Sequence, residues 1–435
     1  MSGPRSGKAA RWVVFGLTSV ACAIGAWALL RQREPRRSVD LQIDTTGYDP
    51  HAPAAIPAAD AGLPGAAEVA HARWPASTFV RVPWNPSDFP QPTTARNNPL
   101  RFDPQAGFTF SGGMDRRREW AEHPEGGWSV RTNSLGLRDD DEPSATRPDL
   151  RVVVLGDSHT AGFCNNRESF AQLAEAALAA KRPGKTVEVL NAAVPGYTFQ
   201  HHLGALERLL PLEPDVAVIV IYGGNDFVEA LGHHHKAHGT ARGDLGALQK
   251  RLEPAQELDP ELVAQALLTV EQFRLDPAQL DVALQAARDV TTEIAVTCQR
   301  HGIVPLFVYL PSTLEVEFPR RRERFEAALA ALGANETDVQ VLAKLADPTL
   351  AFLRSFGVAT LDLRPALAAA QGKLFWDEDF HLALDGHAVV ARELAPLVER
   401  LAPADAQRVR RGAPPLAGEA ARTLLSPGAG VPTAR

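Results

Sequence analysis

Four short stretches carry residues whose types and spacing could do chemistry. Gly156-Asp157-Ser158-His159 puts a hydroxyl at the end of an apolar run, and Asp377-Glu378-Asp379-Phe380-His381 puts carboxylates beside an imidazole. A carboxylate two residues before a histidine on one loop can hydrogen-bond the ring and fix its tautomer. Pro195-Gly196-Tyr197 offers a glycine whose backbone can approach a ligand closely. Gly223-Gly224-Asn225-Asp226 offers a neutral side-chain N–H donor suited to a developing oxyanion. Taken singly, the serine stretch reads as a helix cap and the Gly196 and Asn225 stretches as turns. Asp385-Gly386-His387 repeats the acid-x-His spacing. There Asp385 is placed as N-cap of the last amphipathic helix, with His387 in its first turn.

Other chemistries fail on the same residues. No G-x-G-x-x-G follows the run at 151–155, and no Gly-Lys-Ser/Thr closes a phosphate loop. A G-x-S-x-G elbow would need glycine where Thr160 stands. His233, His234, His235 and His238 look like metal ligands, but three consecutive histidines cannot all face one ion without an unusual turn. With 3 cysteines in 435 residues, neither a disulfide framework nor a cysteine zinc site is expected. Cys164 is expected as a loop thiol near the mouth of the site, Cys298 as a buried core thiol, and His159 as a wall of the pocket.

The elements that must position these residues read as α/β. Residues 151–155 (RVVVL), 186–190 (TVEVL), 216–222 (VAVIVIY) and 304–310 (VPLFVYL) are short β-branched apolar runs, with a weaker fifth at 358–361. Continuous runs of this kind suit strands of a parallel sheet buried on both faces. Between them lie helical stripes such as Phe170, Leu173, Ala174, Ala177 and Leu178, or Val390, Leu394, Leu397, Val398 and Leu401. The alternation predicts a doubly wound α/β domain over 145–402. Ligands in such sheets sit beyond the carboxyl ends of the strands, where Ser158, Gly196 and Asn225 all fall. The connection from Tyr222 to Val304 is long, with helix starts predicted at Asp259-Pro260 and Asp276-Pro277. Its first part, about 231–273, reads as an insertion that covers or borders the site.

In this order, on successive strand ends, the four stretches resemble the SGNH (GDSL-type) hydrolase family. Gly156-Asp157-Ser158, Gly196, Gly223-Gly224-Asn225-Asp226 and His381 match its blocks. Thr132-Asn133-Ser134-Leu135-Gly136-Leu137-Arg138 and the run from Leu190 to Gly196 resemble an exported, membrane-anchored bacterial branch. The resemblance implies a three-layer, flavodoxin-like fold with a parallel sheet of about five strands and a helical insertion after the third. It implies Ser158 as nucleophile and His381 as base, with the Ser158 N–H, Gly196 N–H and Asn225 side chain as oxyanion hole. No metal or cofactor is implied. Many members carry the acid three residues before the histidine, at Glu378 here; Asp379 is favoured, then Glu378, then Asp377. The implied activity is a serine esterase acting on a short acyl or acetyl ester, possibly on an envelope glycan. An acetyltransferase using the same site on an extracytoplasmic polysaccharide is the alternative, and a degenerate carbohydrate-binding module the non-enzymatic one.

Charge and composition bound the rest. The net charge is −7, yet residues 1–37 hold seven Arg or Lys against one Glu, leaving the remainder near −13. That balance argues against a nucleic-acid partner. Residues 12–30 form an uncharged run with basic flanks, read as a membrane anchor, with a cleaved signal peptide as its rival. The expected location is therefore the inner membrane, with the catalytic part in the periplasm, or secretion if the segment is cleaved. Residues 38–144 read as a Pro/Ala-rich tether leading into an extended preamble of short strands and turns, and 403–435 as a disordered tail.

Overall fold

Two antiparallel hairpins precede the main sheet: β1 (Leu100–Asp103) with β2 (Gly107–Phe110), and β3 (Asp115–Glu119) with β4 (Gly127–Arg131). They belong to a computed structural model that describes residues 74–85 apart from 76, and 99–403 apart from 242. Residues 1–37, read above as an anchor or signal segment, and 404–435 of the expected tail lie outside the described residues. Among the described residues, no helix is long and apolar enough to cross a membrane.

The main sheet is parallel and five-stranded. β5 (Leu150–Leu155), β6 (Val187–Asn191), β7 (Val216–Tyr222), β8 (Val304–Leu310) and β9 (Ala359–Asp362) run in the order β6-β5-β7-β8-β9. Every residue of β5, β7 and β8 is buried, as strands covered on both faces are, and Arg151, the one charged residue among them, is paired with Glu188 at 2.7 Å. Alternate side chains go to opposite faces. Ala217, Ile219 and Ile221 join one core, while Val216, Val218, Val220 and Tyr222 join the other.

The main helices of the described residues that cover this sheet or its carboxyl edge are α1 (Ser158–Ala161), α2 (Phe170–Lys181), α3 (Phe199–Leu209), α4 (Asp226–His238), α5 (Leu245–Leu258), α6 (Leu268–Leu275), α7 (Gln279–Arg300), α8 (Arg322–Ala331), α9 (Val341–Ser355) and α10 (Leu384–Leu401). The first core takes Leu206 of α3, Leu231 of α4, Val290 of α7 and Leu350 of α9, with Phe108 and Phe110 of β2. The second takes Phe170 and Leu178 of α2 and Leu394 and Val398 of α10. A third cluster joins Leu252 of α5, Val270 of α6, and Phe325 and Leu329 of α8, and it includes Phe380. The chain is thus a three-layer α/β fold with an added group of helices.

Several boundaries differ from the sequence expectation. The helix after β7 starts at Asp226 and runs through residue 231, so the added helices begin only with α5. Asp259 does cap a helical turn, accepting the Leu262 N–H at 3.1 Å. Asp276-Pro277 instead opens a turn, and α7 begins at Gln279. Asp385 is not the N-cap of α10; Ala383 holds that position and Asp385 lies in the first turn, accepting the Lys373 N–H at 2.8 Å. Within the stretch read as tether, Thr78 Oγ1 donates to Asp289 Oδ2 at 2.6 Å and Val82 pairs with the Gln200 amide. Those residues pack on α3 and α7. Cys298 is fully buried in the first core, as expected.

Candidate active site

Ser158 is the first residue of α1, directly beyond β5. The Asp157 side chain accepts the His159 N–H at 2.9 Å, which fixes the start of this turn. The turn is tight enough that a Cβ at Gly156 would stand 2.1 Å from Thr160 Oγ1, so glycine is needed there. Ser158 itself remains partly exposed.

His381 and Asp379 sit on the loop before α10. The bridge between Phe375 and Leu382 and the Trp376 N–H bond to the His381 carbonyl, at 2.8 Å, close that loop. Residues 377–379 form a turn, and Phe380 has φ +60°. A left-handed phenylalanine is costly; burial of its ring beside Phe325 and under the Arg324 guanidinium, 4.2 Å from the ring centre, offsets that cost. The loop delivers His381 Nε2 to 2.8 Å from Ser158 Oγ. Asp379 Oδ2 stands 3.1 Å from His381 Nδ1, with the N–H bent off the line to the oxygen, and Asp379 Oδ1 accepts the His381 backbone N–H at 3.0 Å. Asp377 is exposed and paired with Arg321 and Lys373, and Glu378 points to solvent. Burial alone would hold His381 neutral; the Asp379 carboxylate, helped by Asp157 and Glu261, outweighs it and raises the ring's pKa above the usual histidine value.

The His381 ring is one layer of a stack. Phe163 lies parallel on one face at 3.9 Å between centroids, and His159 on the other at 4.5 Å. Trp128 of β4 continues the stack beyond Phe163, and Tyr222 of β7 beyond His159. His159 is fully buried, with Nε2 at 3.0 Å from Gln265 Oε1. Burial, then the nearby His381, press its pKa well below the usual value, so it stays neutral. His159 is thus a packing partner of His381 as well as a wall. Gln265 comes from the added helical segment, which also takes the Tyr222 hydroxyl on the Gln265 carbonyl at 3.0 Å. Behind Ser158, Asp157 and Asp226 are buried carboxyls, each with one oxygen lacking a partner. Burial raises both above the usual carboxylate range, and Asp157 raises Asp226 further.

Gly196 follows β6 and Asn225 follows β7, the two strands that flank β5. The sheet order changes direction across β5, the place where open α/β sheets form a ligand crevice. Gly196 is exposed with φ +86°, a conformation that favours glycine. Asn225 caps α4 and is partly exposed, and its Oδ1 has no hydrogen-bond partner.

Other sequence candidates lie elsewhere or differ in kind. Cys164 is fully buried, not at the mouth, and burial pushes its thiol up to about 12. His387 is buried, its pKa lowered to about 3 by burial and then by Arg138 and His381, and its Nδ1 accepts the Phe170 N–H at 3.3 Å. His233, His234, His235 and His238 all ride on α4, where His235 is bonded to Thr240 and Gln279. The sequence reading missed Phe163, Gln265 and Trp128. An aromatic five residues after the serine was the one available signal, at Phe163.

Several solved structures align with this chain at low identity. An acetyl xylan esterase, AlAXEase, is 18% identical over 57% of this chain and 100% of its own, with a TM-score of 0.36. The lipase/acylhydrolase from Enterococcus faecalis is 16% identical over 59% of this chain and 99% of its own, with a TM-score of 0.30. A lipolytic G-D-S-L family protein from Veillonella parvula is 13% identical over 58% and 100%, with a TM-score of 0.34. No curated protein matches the chain. Residues 154–389, more than half of the sequence and the stretch that holds Ser158, Asp379 and His381, match the GDSL-like Lipase/Acylhydrolase family, and the chain is a member of that family of ester hydrolases.

Proposed function

We propose that the protein is a serine esterase that removes a short acyl group, acetyl foremost, through an acyl-Ser158 intermediate. One observation carries this reading: the His381 ring set between the Ser158 hydroxyl, 2.8 Å from Nε2, and the Asp379 carboxylate, 3.1 Å from Nδ1. In it, Ser158 Oγ attacks the ester carbonyl while His381 Nε2 takes the hydroxyl proton. The Ser158 N–H, the Gly196 N–H and the Asn225 amide receive the oxyanion of the tetrahedral intermediate. Collapse expels the alcohol, which takes the proton from His381. Water then attacks the acyl-serine with the same base, and the carboxylic acid leaves. Asp379 favours the imidazolium formed in both halves, which accords with the raised His381 pKa.

We take the acylated alcohol to be a glycan of the cell envelope, on the resemblance to the exported branch, and the site of action to be outside the cytoplasm. The uncharged run at residues 12–30 supports that location and lies outside the described residues.

The test is labelling by a fluorophosphonate probe, with release of acetate from a small acetyl ester and from an acetylated glycan measured alongside. Wild-type protein should label once and hydrolyse both; Ser158→Ala should do neither, with turnover lowered by about 10⁶-fold. Retention of more than about a hundredth of wild-type turnover in that variant would remove Ser158 as nucleophile. Acetyl transfer to a glycan hydroxyl that outpaces hydrolysis would make the enzyme a transferase instead.

A further inference from the structure

The connection between β3 and β4 reaches the site from outside the family-matched residues 154–389. At its tip Glu122 is largely enclosed, its side chain 11% exposed. Glu122 Oε2 accepts the Asp377 N–H at 2.6 Å and Oε1 accepts the Glu378 N–H at 2.7 Å. Lys373 Nζ donates to Oε2 at 2.9 Å and also pairs with Asp377 at 2.6 Å. Those two N–H groups open the turn that presents Asp379. A carboxylate that takes two successive backbone donors fixes a turn's orientation as a helix cap does, through strong charge-assisted bonds. The hairpin has a second hold on the site. Its Trp128 stacks on Phe163, which stacks on His381, and its His123 lies between Glu168 and the Trp376 ring.

We propose that Glu122 is a positioning residue for the Asp379–His381 loop, so that the β3–β4 hairpin completes the active site. This inference rests on the reading of Ser158, His381 and Asp379 as the reacting residues. The groups around the carboxylate show that its place is specific. Glu378 is pushed above its usual pKa by partial burial and then by the negative charges of Glu122 and Asp379. Lys373 pairs with both Glu122 and Asp377, and Arg321 with Asp377, so two cations offset the negative charge gathered at the turn. Loss of the Glu122 carboxylate frees the turn, and Asp379 then withdraws from Nδ1. His381 would keep its burial and the neighbouring Asp157, Glu261 and neutral His159, while losing the largest influence that favours its protonation.

The experiment compares wild type, Glu122→Ala, Glu122→Gln and Ser158→Ala on a soluble acetyl ester across pH, with a thermal melt of each. A displacement of about 1 Å in a positioned group can cost about a hundredfold, so Glu122→Ala should lose up to that in kcat, with KM within about twofold. The acid-side midpoint of kcat/KM should move to lower pH, because burial now dominates His381. Glu122→Gln, which keeps one acceptor oxygen, should fall between. An unchanged kcat and midpoint in Glu122→Ala beside an inactive Ser158→Ala would overturn the inference and leave the esterase reading intact. A uniform loss of activity with an unmoved midpoint and a lowered melting temperature would also overturn it, since that pattern means less folded protein. An active Ser158→Ala would overturn the reading beneath it.

Discussion

Asp379–His381 and Asp385–His387 share one spacing and stand six residues apart, yet the fold gives them opposite fates. In the first pair, a turn with Phe380 at φ +60° brings both side chains to one place, and the histidine's pKa rises. In the second, both residues lie in the first turn of α10; Asp385 reaches the Lys373 N–H, and His387 is buried with its pKa lowered to about 3. Helical residues two apart do not face each other. Acid-x-His spacing therefore says little until the backbone between the two residues is known.

The widest separation should come from removing each ring. His381→Ala should lower kcat by about 10⁶-fold, the usual loss for the histidine of such a set. His387→Ala should change kcat little and instead destabilise the fold by about 1–3 kcal/mol, since it strands the buried Phe170 N–H. Kinetics and thermal melts of the two variants, side by side, check this. If His387→Ala were the inactive one, the roles of the pairs would have to be exchanged.

The acids should differ less, though still widely. Asp379→Asn should cost about 10⁴-fold in kcat if the amide inverts the tautomer of His381. Asp385→Asn should remain within about twofold, because an amide oxygen can still accept the Lys373 N–H. Steady-state rates on one acetyl ester decide it, and a silent Asp379→Asn would break the comparison.

The smallest effect is on stability against pH, where the two rings have opposite signs. His387 binds no proton in the folded protein until about pH 3, whereas the unfolded chain binds one near 6.5. It should therefore cost stability progressively as pH falls through that window. His381 is raised when folded, so its contribution is full below the unfolded value and lost as pH rises through the folded one. Denaturation midpoints from pH 4 to pH 8 should flatten on the acid side in His387→Ala and on the neutral side in His381→Ala.

The parallel strands were legible because burial on both faces leaves no polar alternation to confuse. All seven residues of 216–222 are apolar, and all seven are buried. Ser158, Gly196 and Asn225 were legible as candidates because each ends one of three adjacent strands. The acid was legible only as a spacing of two residues on one loop. What turns that spacing into a contact is a turn at 377–379 followed by a left-handed Phe380, which spacing alone does not reveal. Asp385 misled because a helix start is set by backbone bonds, and the Ala383 carbonyl, one step beyond Leu382, already accepts the His387 N–H. Cys164 was expected near the mouth as a loop thiol close to Ser158, but it is fully buried, and Arg138 donates to its carbonyl at 2.8 Å. Glu122 had no signature at all. Its partners, two backbone N–H groups and the Lys373 ammonium, lie 251 to 256 positions away, and any acidic residue on a surface hairpin looks the same in sequence.

The stack around His381 also makes the residue magnetically conspicuous. Electrons circulating in an aromatic ring shield nuclei held above and below its faces. His381 has Phe163 over one face, 12° from parallel, and His159 over the other at 27°, whereas His387 meets only a tilted Phe170 ring among the described aromatic contacts, at 5.7 Å. The carbon-bound ring protons of His381 should therefore resonate upfield of those of His387. Any motion that slides Phe163 off the imidazole would send them back downfield, giving the assembled site a spectral line of its own without substrate or inhibitor.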